Sequence, residues 1–335
     1  TLDRSSAASD VYKRQMQEGV RPMDYSQITQ ADVDGFRANL NMVPQQTESV
    51  YLPHIDADLS YSEAGKMFNV DSIGQSDPKD VDTVVPDSPE GLLEMTRRVG
   101  YLKQFHDGKF IESIQKVHQL QDPTDKVMAS MRAGKMRKLD SRVRDAFFAP
   151  ARIGENGENI LNFPSGKIVD VASRKFLHTL EKDAVPASGA LPLTLGKILT
   201  ARGIIRKTKI LQLHQGGRIK LALREDDISQ LLTTIPVTSG DYQTVKRIES
   251  GELTHAWGID FVMDEDVHLK AGTSDTYVLP MWVDKVMQLK AREIHTATIT
   301  PRGDKSMRPY AYYETEAGAA RGWDEGVAGI EVKDL

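Results

Sequence analysis

The chain has 335 residues, a mass of 37.3 kDa and a formal net charge of −5. The absence of cysteine excludes disulfides, thiolate metal sites and cysteine nucleophiles, and the acidic balance argues against bulk attraction of nucleic acid. With 39% hydrophobic and 27% charged residues, the composition is that of a globular protein with room for one large domain or two. No run of about 18 apolar residues occurs, so we predict no membrane-spanning helix and no membrane partner.

Residues 1–15, TLDRSSAASDVYKRQ, have neither the apolar stretch of a signal peptide nor helical periodicity. The stretch resembles a translated sequencing-adaptor tail, so we expect it to be non-native and the natural chain to start at Met16. A disordered natural leader is the alternative interpretation.

Residues 24–90 show little regular periodicity, and short extended pieces alternate with proline, glycine and aspartate. Irregular segments of this length are uncommon inside a compact domain unless they serve a function. We therefore predict that this part of the chain reaches out to a neighbouring molecule.

A long helix is predicted next, with Asp122 as N-cap, Pro123 at the first helical position and an end at Phe148. At about 100° per residue, one face carries the apolar side chains Met128, Met131, Met136, Leu139, Val143, Ala146 and Phe147. The helix also carries seven basic side chains: Lys126, Arg132, Lys135, Arg137, Lys138, Arg142 and Arg144. A solvated face is the favoured interpretation, and non-specific contact with DNA phosphates stays open beside it.

The second half of the chain mixes helices and strands. A hairpin with a Glu-Asn-Gly turn is predicted within residues 151–169, and a helix within 189–205. A strand at 216–224 precedes a short helix at 225–234, and HAWGIDFVM, residues 255–263, alternates as one strand. Between them a helix runs from Asp241, with Ser239 as N-cap and Gly251 as its stop. This order predicts an α+β fold.

Two groups of residues are candidates for chemistry. His54, Asp56 and Asp58 would share one face of a strand and could hold a divalent metal, although a solvated strand is the favoured reading. The second group follows a predicted strand and is read as an acidic surface loop; it comprises Asp264, Glu265, Asp266 and His268. Phosphate-binding and hydrolase signatures are absent, and the Arg302–Asp304 tripeptide RGD is read as a loop between two strands.

Several stretches occur in a characteristic order: RRVGYLKQFHDGKFIESIQKVHQLQDPTDKVMASMRAGKMRKLD, LPLTLGKIL and GDYQTVKRIESGELTHAWGIDFVMDEDVHL, followed by Gly318-Ala319-Ala320-Arg321 and the strand Val327 to Ile330. Together they resemble the major capsid proteins of tailed double-stranded-DNA bacteriophages. The order of these pieces carries the resemblance, which covers about residues 16–335.

The resemblance implies an HK97-like capsid fold of the α+β class. Its parts would be an N-terminal arm at 16–50, an extended loop at 51–115 and a peripheral domain at 116–207. The spine helix of the peripheral domain would occupy about 123–148. An axial domain would follow at 208–290, and residues 291–335 would return to the peripheral domain as strands. Gly318, Gly322, Gly326 and Gly329 would allow close backbone approach.

The resemblance further implies a shell subunit without catalytic, cofactor-binding or metal-binding residues. It would form pentamers and hexamers of itself in an icosahedral head that packages double-stranded DNA. Scaffolding and portal proteins would be its partners, with assembly in the host bacterial cytoplasm and a final place in the virion. An encapsulin-like compartment is the alternative of the same fold. A metal-dependent hydrolase using His54, Asp56, Asp58 and His268 is the alternative of a different class.

Overall fold

The computed structural model describes residues 44–74, 76, 78, 80, 92–111, 124–176, 189–213, 217–234, 240–251, 254–270, 273 and 275–333. These residues belong to two compact units. The smaller unit contains the described residues 44–45, 108–111, 124–131 and 298–311, and the larger unit contains the others. The unit boundaries fall within one long helix and three long strands.

The described α-helices are α1 Thr124–Phe148, α2 Leu195–Lys207, α3 Ile210–Leu213, α4 Glu225–Thr234 and α5 Gly240–Glu249. The long helix predicted to end at Phe148 is confirmed, while its predicted cap, Asp122 with Pro123, lies outside the described residues. Helix α2 begins after Thr194, whose side chain accepts a hydrogen bond from the Lys197 backbone N–H, a normal N-cap. Gly251 follows α5 with a φ of 74°, which confirms the predicted stop, whereas Ser239 lies outside the described residues.

The strands form three sheets. Their bounds are β1 Asp56–Asp58, β2 Met67–Ile73, β3 Met95–Tyr101, β4 Lys103–Phe110, β5 Ala151–Ile153, β6 Asn159–Leu161, β7 Ile168–Val169, β8 Ile219–Leu223, β9 His255–Ala256, β10 Ile259–Met263, β11 His268–Leu269, β12 Thr276–Val283, β13 Met287–Arg302, β14 Arg308–Arg321 and β15 Val327–Lys333. The sheet orders are β7-β15-β12-β8-β10-β9 with β11 on β12, β1-β13-β14-β4, and β2-β3-β5-β6. Helices and largely antiparallel strands in separate stretches confirm the α+β class.

The main core of the larger unit lies around the sheet that contains β8, β12 and β15. All five residues of β8 are buried, as is expected of a strand covered on both faces, and its one charged residue, Lys220, pairs with Asp284. The rings of Tyr51, Phe147 and Trp282 meet in this core, with centroids 5.0 to 5.7 Å apart. Helix α1 buries Leu139, Val143 and Phe147 here, as its predicted apolar face requires.

Helix α2 packs on β15 and buries a lysine against it. The Lys197 side chain is fully buried, and its Nζ donates hydrogen bonds to the backbone carbonyls of Leu191, at 2.8 Å, and Glu331, at 2.9 Å. Burial lowers the pKa of Lys197 from 10.5 to about 7, although Asp170 and Glu331 favour the charged form. The folded chain therefore holds a lysine whose charge depends on pH near neutrality.

Two sequence predictions in this unit are wrong in part. Residues 255–263 do not form one strand, because β9 and β10 pair as an antiparallel hairpin. The turn falls at Trp257 and Gly258, both with positive φ, and alternation alone did not show it. The predicted acidic surface loop is wrong at Asp264, which is 4% exposed. By contrast, the hairpin predicted within residues 151–169 is confirmed, because β5 and β6 pair antiparallel.

The end of the chain consists of strands, as predicted. A short 3₁₀ turn, Gly303–Lys305, joins β13 to β14, so Gly303 and Asp304 of the RGD tripeptide lie between two strands as predicted, while Arg302 is the last residue of β13. Its Arg302 and Asp304 pair with each other at 2.9 Å. At Gly318 in β14, a Cβ atom would clash with the carbonyl oxygen of Tyr101, so the predicted close backbone approach is confirmed at this position.

Candidate assembly surface

The strands β2 and β3 form a hairpin whose two ends differ in burial. Their pairing runs from Met67 opposite Tyr101 to Ile73 opposite Met95. Near the first pair, the alternating side chains Phe68 and Val70 are buried in a small core with Leu102. Toward the second pair this cover ends, so the hairpin projects from its own core. We call the end at Met67 and Tyr101 the base and the end at Ile73 and Met95 the tip.

Large apolar side chains are exposed at the tip. Ile73 is 66% exposed, Met95 is 76% exposed, and the adjoining Leu92 and Leu93 are also exposed. Contiguous exposed apolar side chains of this kind mark interaction surfaces in proteins. The tip is therefore a candidate contact surface.

Polar cross-strand pairs just below the tip hold its backbone in register. Arg97 pairs with Asp71, directly opposite, at 2.7 Å, and this hydrogen bond holds the pKa of the Asp71 carboxyl below its usual value. The Ser72 and Thr96 hydroxyls, the next opposite pair, are 2.6 Å apart. Such pairs each stabilise a hairpin by about 0.2–1 kcal/mol. The hairpin is therefore ordered without needing apolar cover at its tip.

Arg98, at the middle of β3, and Arg321 fix the hairpin to the rest of the larger unit. Arg98 of β3 donates to Asp324 at 2.8 Å, and Arg321 donates to the same carboxylate at 2.6 Å. A second nitrogen of Arg321 donates to the carbonyls of Ala146, Phe147 and Ala149, which lie at the C-terminal end of α1. Cations are favoured at this end of a helix. One buried arginine thus joins α1, β14 and, through Asp324, β3.

The chain before the hairpin is bound to α1 by a buried carboxylate. Asp140 is fully buried and accepts hydrogen bonds from the Gln46 and Ser49 side chains and from the Val50 and Tyr51 backbone N–H groups. Because every one of these donors belongs to residues 46–51, Asp140 fixes the direction in which this segment leaves the helix.

Tyr51 then joins a second buried group centred on Asp264. Its hydroxyl donates to Asp264 at 2.5 Å, and Arg144 of α1 forms two hydrogen bonds with the same carboxylate, at 2.7 and 3.2 Å. Burial, followed by the nearby Asp264 charge, raises the pKa of Tyr51 well above its usual value. The pKa of Arg144 is also raised, because its contact with Asp264 outweighs its partial burial. The sequence did not predict this group, since Tyr51 and Arg144 lie 213 and 120 residues away from Asp264 along the chain.

The basic side chains of α1 do not form one solvated face. Arg144 is buried, Lys135 pairs with Glu293, and Arg137 donates to the Gln46 carbonyl at 2.9 Å. Arg132 and Lys138 are exposed. The predicted solvated face therefore holds only for part of the helix, and contact with DNA stays a prediction.

The candidate metal ligands do not come together in the described residues. His54 ends a 3₁₀ turn rather than a strand, and its Nδ1 lies 3.0 Å from the Lys220 ammonium nitrogen. Burial and this neighbouring cation lower the pKa of His54. Asp58 accepts from Ser60 and pairs with Lys290. The His268 side chain lies outside the described residues, and no group of three or more acidic or histidine side chains in the described part could hold a metal ion.

Solved phage capsids share this fold. The capsid of cyanophage P-SCSP1u aligns with a TM-score of 0.60 at 11% identity, covering 89% of this chain and 91% of that chain. The capsid of Ralstonia phage GP4 aligns at 0.60 and 13% identity, with 89% and 94% covered. Cyanophage Pam1 gives 0.61 at 11% identity, with 88% and 94% covered. At these identities the likeness shows a phage capsid fold, as the HK97-like resemblance predicted.

Residues 28–334 match the family model described as phage capsid protein, and the chain belongs to this family. A comparison with curated protein sequences gave no significant match. The family and the fold together confirm the predicted role of a major capsid protein that forms the head of a bacteriophage, a structural protein of the virion. No α-helix in the described residues is long and apolar enough to cross a membrane.

Proposed function

We propose that this chain assembles as pentamers and hexamers into a closed icosahedral head around double-stranded DNA, and that the tip of the β2–β3 hairpin forms contacts between its copies. The observation that carries the proposal is the exposed apolar tip, where Ile73 and Met95 face solvent in the single chain. A shell subunit needs such surfaces because each copy must bury apolar area against its neighbours.

The proposed parts of the subunit follow the sequence prediction: an arm at 16–50, a loop at 51–115, a peripheral domain at 116–207, an axial domain at 208–290 and returning strands at 291–335. Tyr51 packs against Phe147 and Trp282 in the main core. We therefore place the part of the loop that contacts neighbours after β1, in the hairpin and its connection. The arm up to residue 43 lies outside the described residues.

Scaffolding and portal proteins, assembly in the host cytoplasm and contact of the exposed α1 cations with packaged DNA complete the proposal. The phage capsid family match favours a virus over an encapsulin-like compartment. The same family match favours a structural role over metal-dependent hydrolysis at His54, Asp56 and Asp58. The ammonium group of Lys220 beside His54 further disfavours a metal cation there.

Introducing charge at the tip tests the proposal. The double variant Ile73→Asp/Met95→Asp is expected to lose closed particles in electron microscopy and to sediment as small species. Its melting temperature should match that of the unassembled wild type, because exposed substitutions change stability by no more than about 0.5 kcal/mol. Each buried aspartate in a contact would instead cost several kcal/mol unless paired.

Met263→Asp is the matched control, since Met263 is also an exposed apolar residue but lies on β10 in a different sheet. We expect this variant to form particles as the wild type does. Particle formation by the tip variant at the wild-type yield would show that the tip is not an assembly contact.

A further inference from the structure

A basic groove of about 590 Å³ lies within the larger unit, where the β3–β4 junction, the last turns of α1 and the end of β14 meet. Six basic side chains line it: Lys66, Arg98, Lys103, Arg142, Arg152 and Arg321. The single carboxylate in its lining is Asp145, so the lining has a formal charge of +5 from six positive charges and one negative charge. The whole chain, by contrast, has a net charge of −5. The groove is therefore a local concentration of positive charge on an acidic protein.

Backbone hydrogen bonds hold the cations around the groove. The Leu102 backbone N–H donates to the Lys66 carbonyl at 2.9 Å, which brings Lys66 next to the segment that carries Lys103. Arg98 of β3 and Arg152 of β5 lie on paired antiparallel strands. Because these backbones are bonded to one another, the cations cannot relieve their repulsion by moving far apart.

Most of this positive charge has no counter-ion in the single chain. Arg98 and Arg321 share the carboxylate of Asp324, which lowers the formal charge of the group by one, from +5 to +4. Four cations form no ion pair with any described residue: Lys66, Lys103, Arg142 and Arg152. Like charges held together without an anion repel each other. An anion with two negative charges would relieve this repulsion more fully than a singly charged one.

Two arginines of the groove also have unused hydrogen-bonding capacity. Nε of Arg142 and Nη2 of Arg321 are buried without an acceptor among the described residues, and Arg321 is only 3% exposed. Buried donors in proteins are normally paired. Guanidinium groups bind phosphate through two parallel hydrogen bonds, and lysine binds it as a point charge. An oxyanion with several acceptor oxygens therefore suits both kinds of cation in the groove.

The end of α1 does not oppose an anion at this place. The last carbonyls of a helix carry partial negative charge, which would repel an anion. Here Nη1 of Arg321 donates to the carbonyls of Ala146, Phe147 and Ala149. The guanidinium thus compensates the negative end of the helix and leaves the surrounding cations available to a ligand.

We propose that the basic groove is a binding site for phosphate, either as the free dianion or as neighbouring phosphate groups of a nucleic-acid backbone. The shared chemistry is that of phosphate oxygens held by guanidinium and ammonium groups. The site belongs to a single chain, so the proposal goes beyond the shell function and does not depend on it. Bound phosphate would link β3, α1 and β14 and stabilise the folded chain by mass action.

Thermal melting of the unassembled full chain tests the site, with sodium phosphate titrated at constant ionic strength. We expect the melting temperature to rise and to saturate, from which a Kd follows. In Lys66→Gln/Lys103→Gln, which alters two exposed lysines, the Kd should be at least about tenfold weaker, because a hydrogen bond to a charged group contributes a factor of about this size. Without phosphate, this variant should melt no lower than the wild type, since it loses only repulsion.

The matched control is Lys138→Gln/Lys207→Gln, which removes the same charge from exposed lysines outside the groove. Its Kd for phosphate should equal that of the wild type. Constant ionic strength keeps general screening the same throughout the titration.

Fluorescence anisotropy with a short labelled DNA duplex distinguishes the two sources of phosphate. If the groove holds nucleic-acid backbone, the groove variant should bind the duplex at least about tenfold more weakly than the control does, and inorganic phosphate should displace the duplex. If the three chains bind the duplex equally while only the groove variant loses inorganic phosphate, the ligand is the free dianion. Either result supports the site.

Three results would overturn the inference. The first is a melting temperature of the wild type that does not respond to phosphate. The second is the same Kd in the groove variant and the control, because phosphate would then bind elsewhere or through general attraction. The third is a rise with glutarate, a dicarboxylate, as large as the rise with phosphate, which would assign the groove to carboxylates. None of these results bears on assembly of the shell.

Discussion

Replacing Arg144 with methionine is expected to destabilise the folded chain by about 3–5 kcal/mol, the usual cost of breaking a buried ion pair from one side. Asp264 would keep its hydrogen bond from Tyr51 but lose both hydrogen bonds to the guanidinium. A carboxylate that is 4% exposed cannot regain those contacts from water. The free energy of unfolding in urea, compared between wild type and variant as unassembled subunits, measures the effect.

Two controls make the Arg144 result specific. Asp266 contacts the same guanidinium at 3.2 Å, but its side chain is 66% exposed, so Asp266→Asn should cost no more than about 1 kcal/mol. The double variant Arg144→Met/Asp264→Leu removes both charges and should recover much of the lost stability. Equal losses for Arg144→Met and Asp266→Asn would contradict the buried pair.

The second large effect is a pH dependence caused by Lys197. Its pKa is about 7 in the folded chain and 10.5 at the ordinary lysine value, so the unfolded chain binds more protons between these pH values. The free energy of unfolding must then rise with pH across this window. From pH 7 to pH 9, we expect the wild type to gain about 2 kcal/mol relative to Lys197→Met, which has no such proton.

The control for this prediction is Lys207→Met, which alters an exposed lysine at the end of the same helix. This variant should follow the wild type at every pH, since its ammonium group stays in water. Urea unfolding of all three chains at pH 7, 8 and 9 supplies the comparison. A difference between wild type and Lys197→Met that does not change with pH would show that the buried lysine stays charged throughout this range, and would contradict the prediction.

The local patterns of the sequence predicted the elements that depend on nearby residues. The apolar spacing from Met131 to Phe147 predicted α1, and the Glu-Asn-Gly turn predicted the β5–β6 hairpin, with Gly157 at a φ of 74°. Both features are fixed by contacts or backbone angles within a few residues. The capsid resemblance depended on the order of such elements, which is why it succeeded without a single decisive motif.

Features set by contacts distant in sequence were not predicted. Asp264 looked like part of an acidic loop because its partners, Tyr51 and Arg144, lie far away along the chain. The β2–β3 hairpin was missed because its strands carry charged residues such as Asp71 and Arg97 and lie far apart in sequence. Burial of a charged side chain depends on the partner that the fold brings to it.

The exposed tip of the β2–β3 hairpin also depends on contacts that are distant in sequence. No sequence pattern indicated that Ile73 and Met95 face solvent, since apolar residues in strands are normally expected inside. The irregularity of residues 24–90 did indicate a segment that serves neighbours, and that interpretation stays a prediction.

Electron microscopy of the purified full chain, with light scattering on the same sample, tests the central claim most directly. The account predicts closed particles, or pentameric and hexameric rings and sheets built from them. A monodisperse monomer or dimer that persists at high protein concentration and with a crowding agent would contradict self-assembly into a shell.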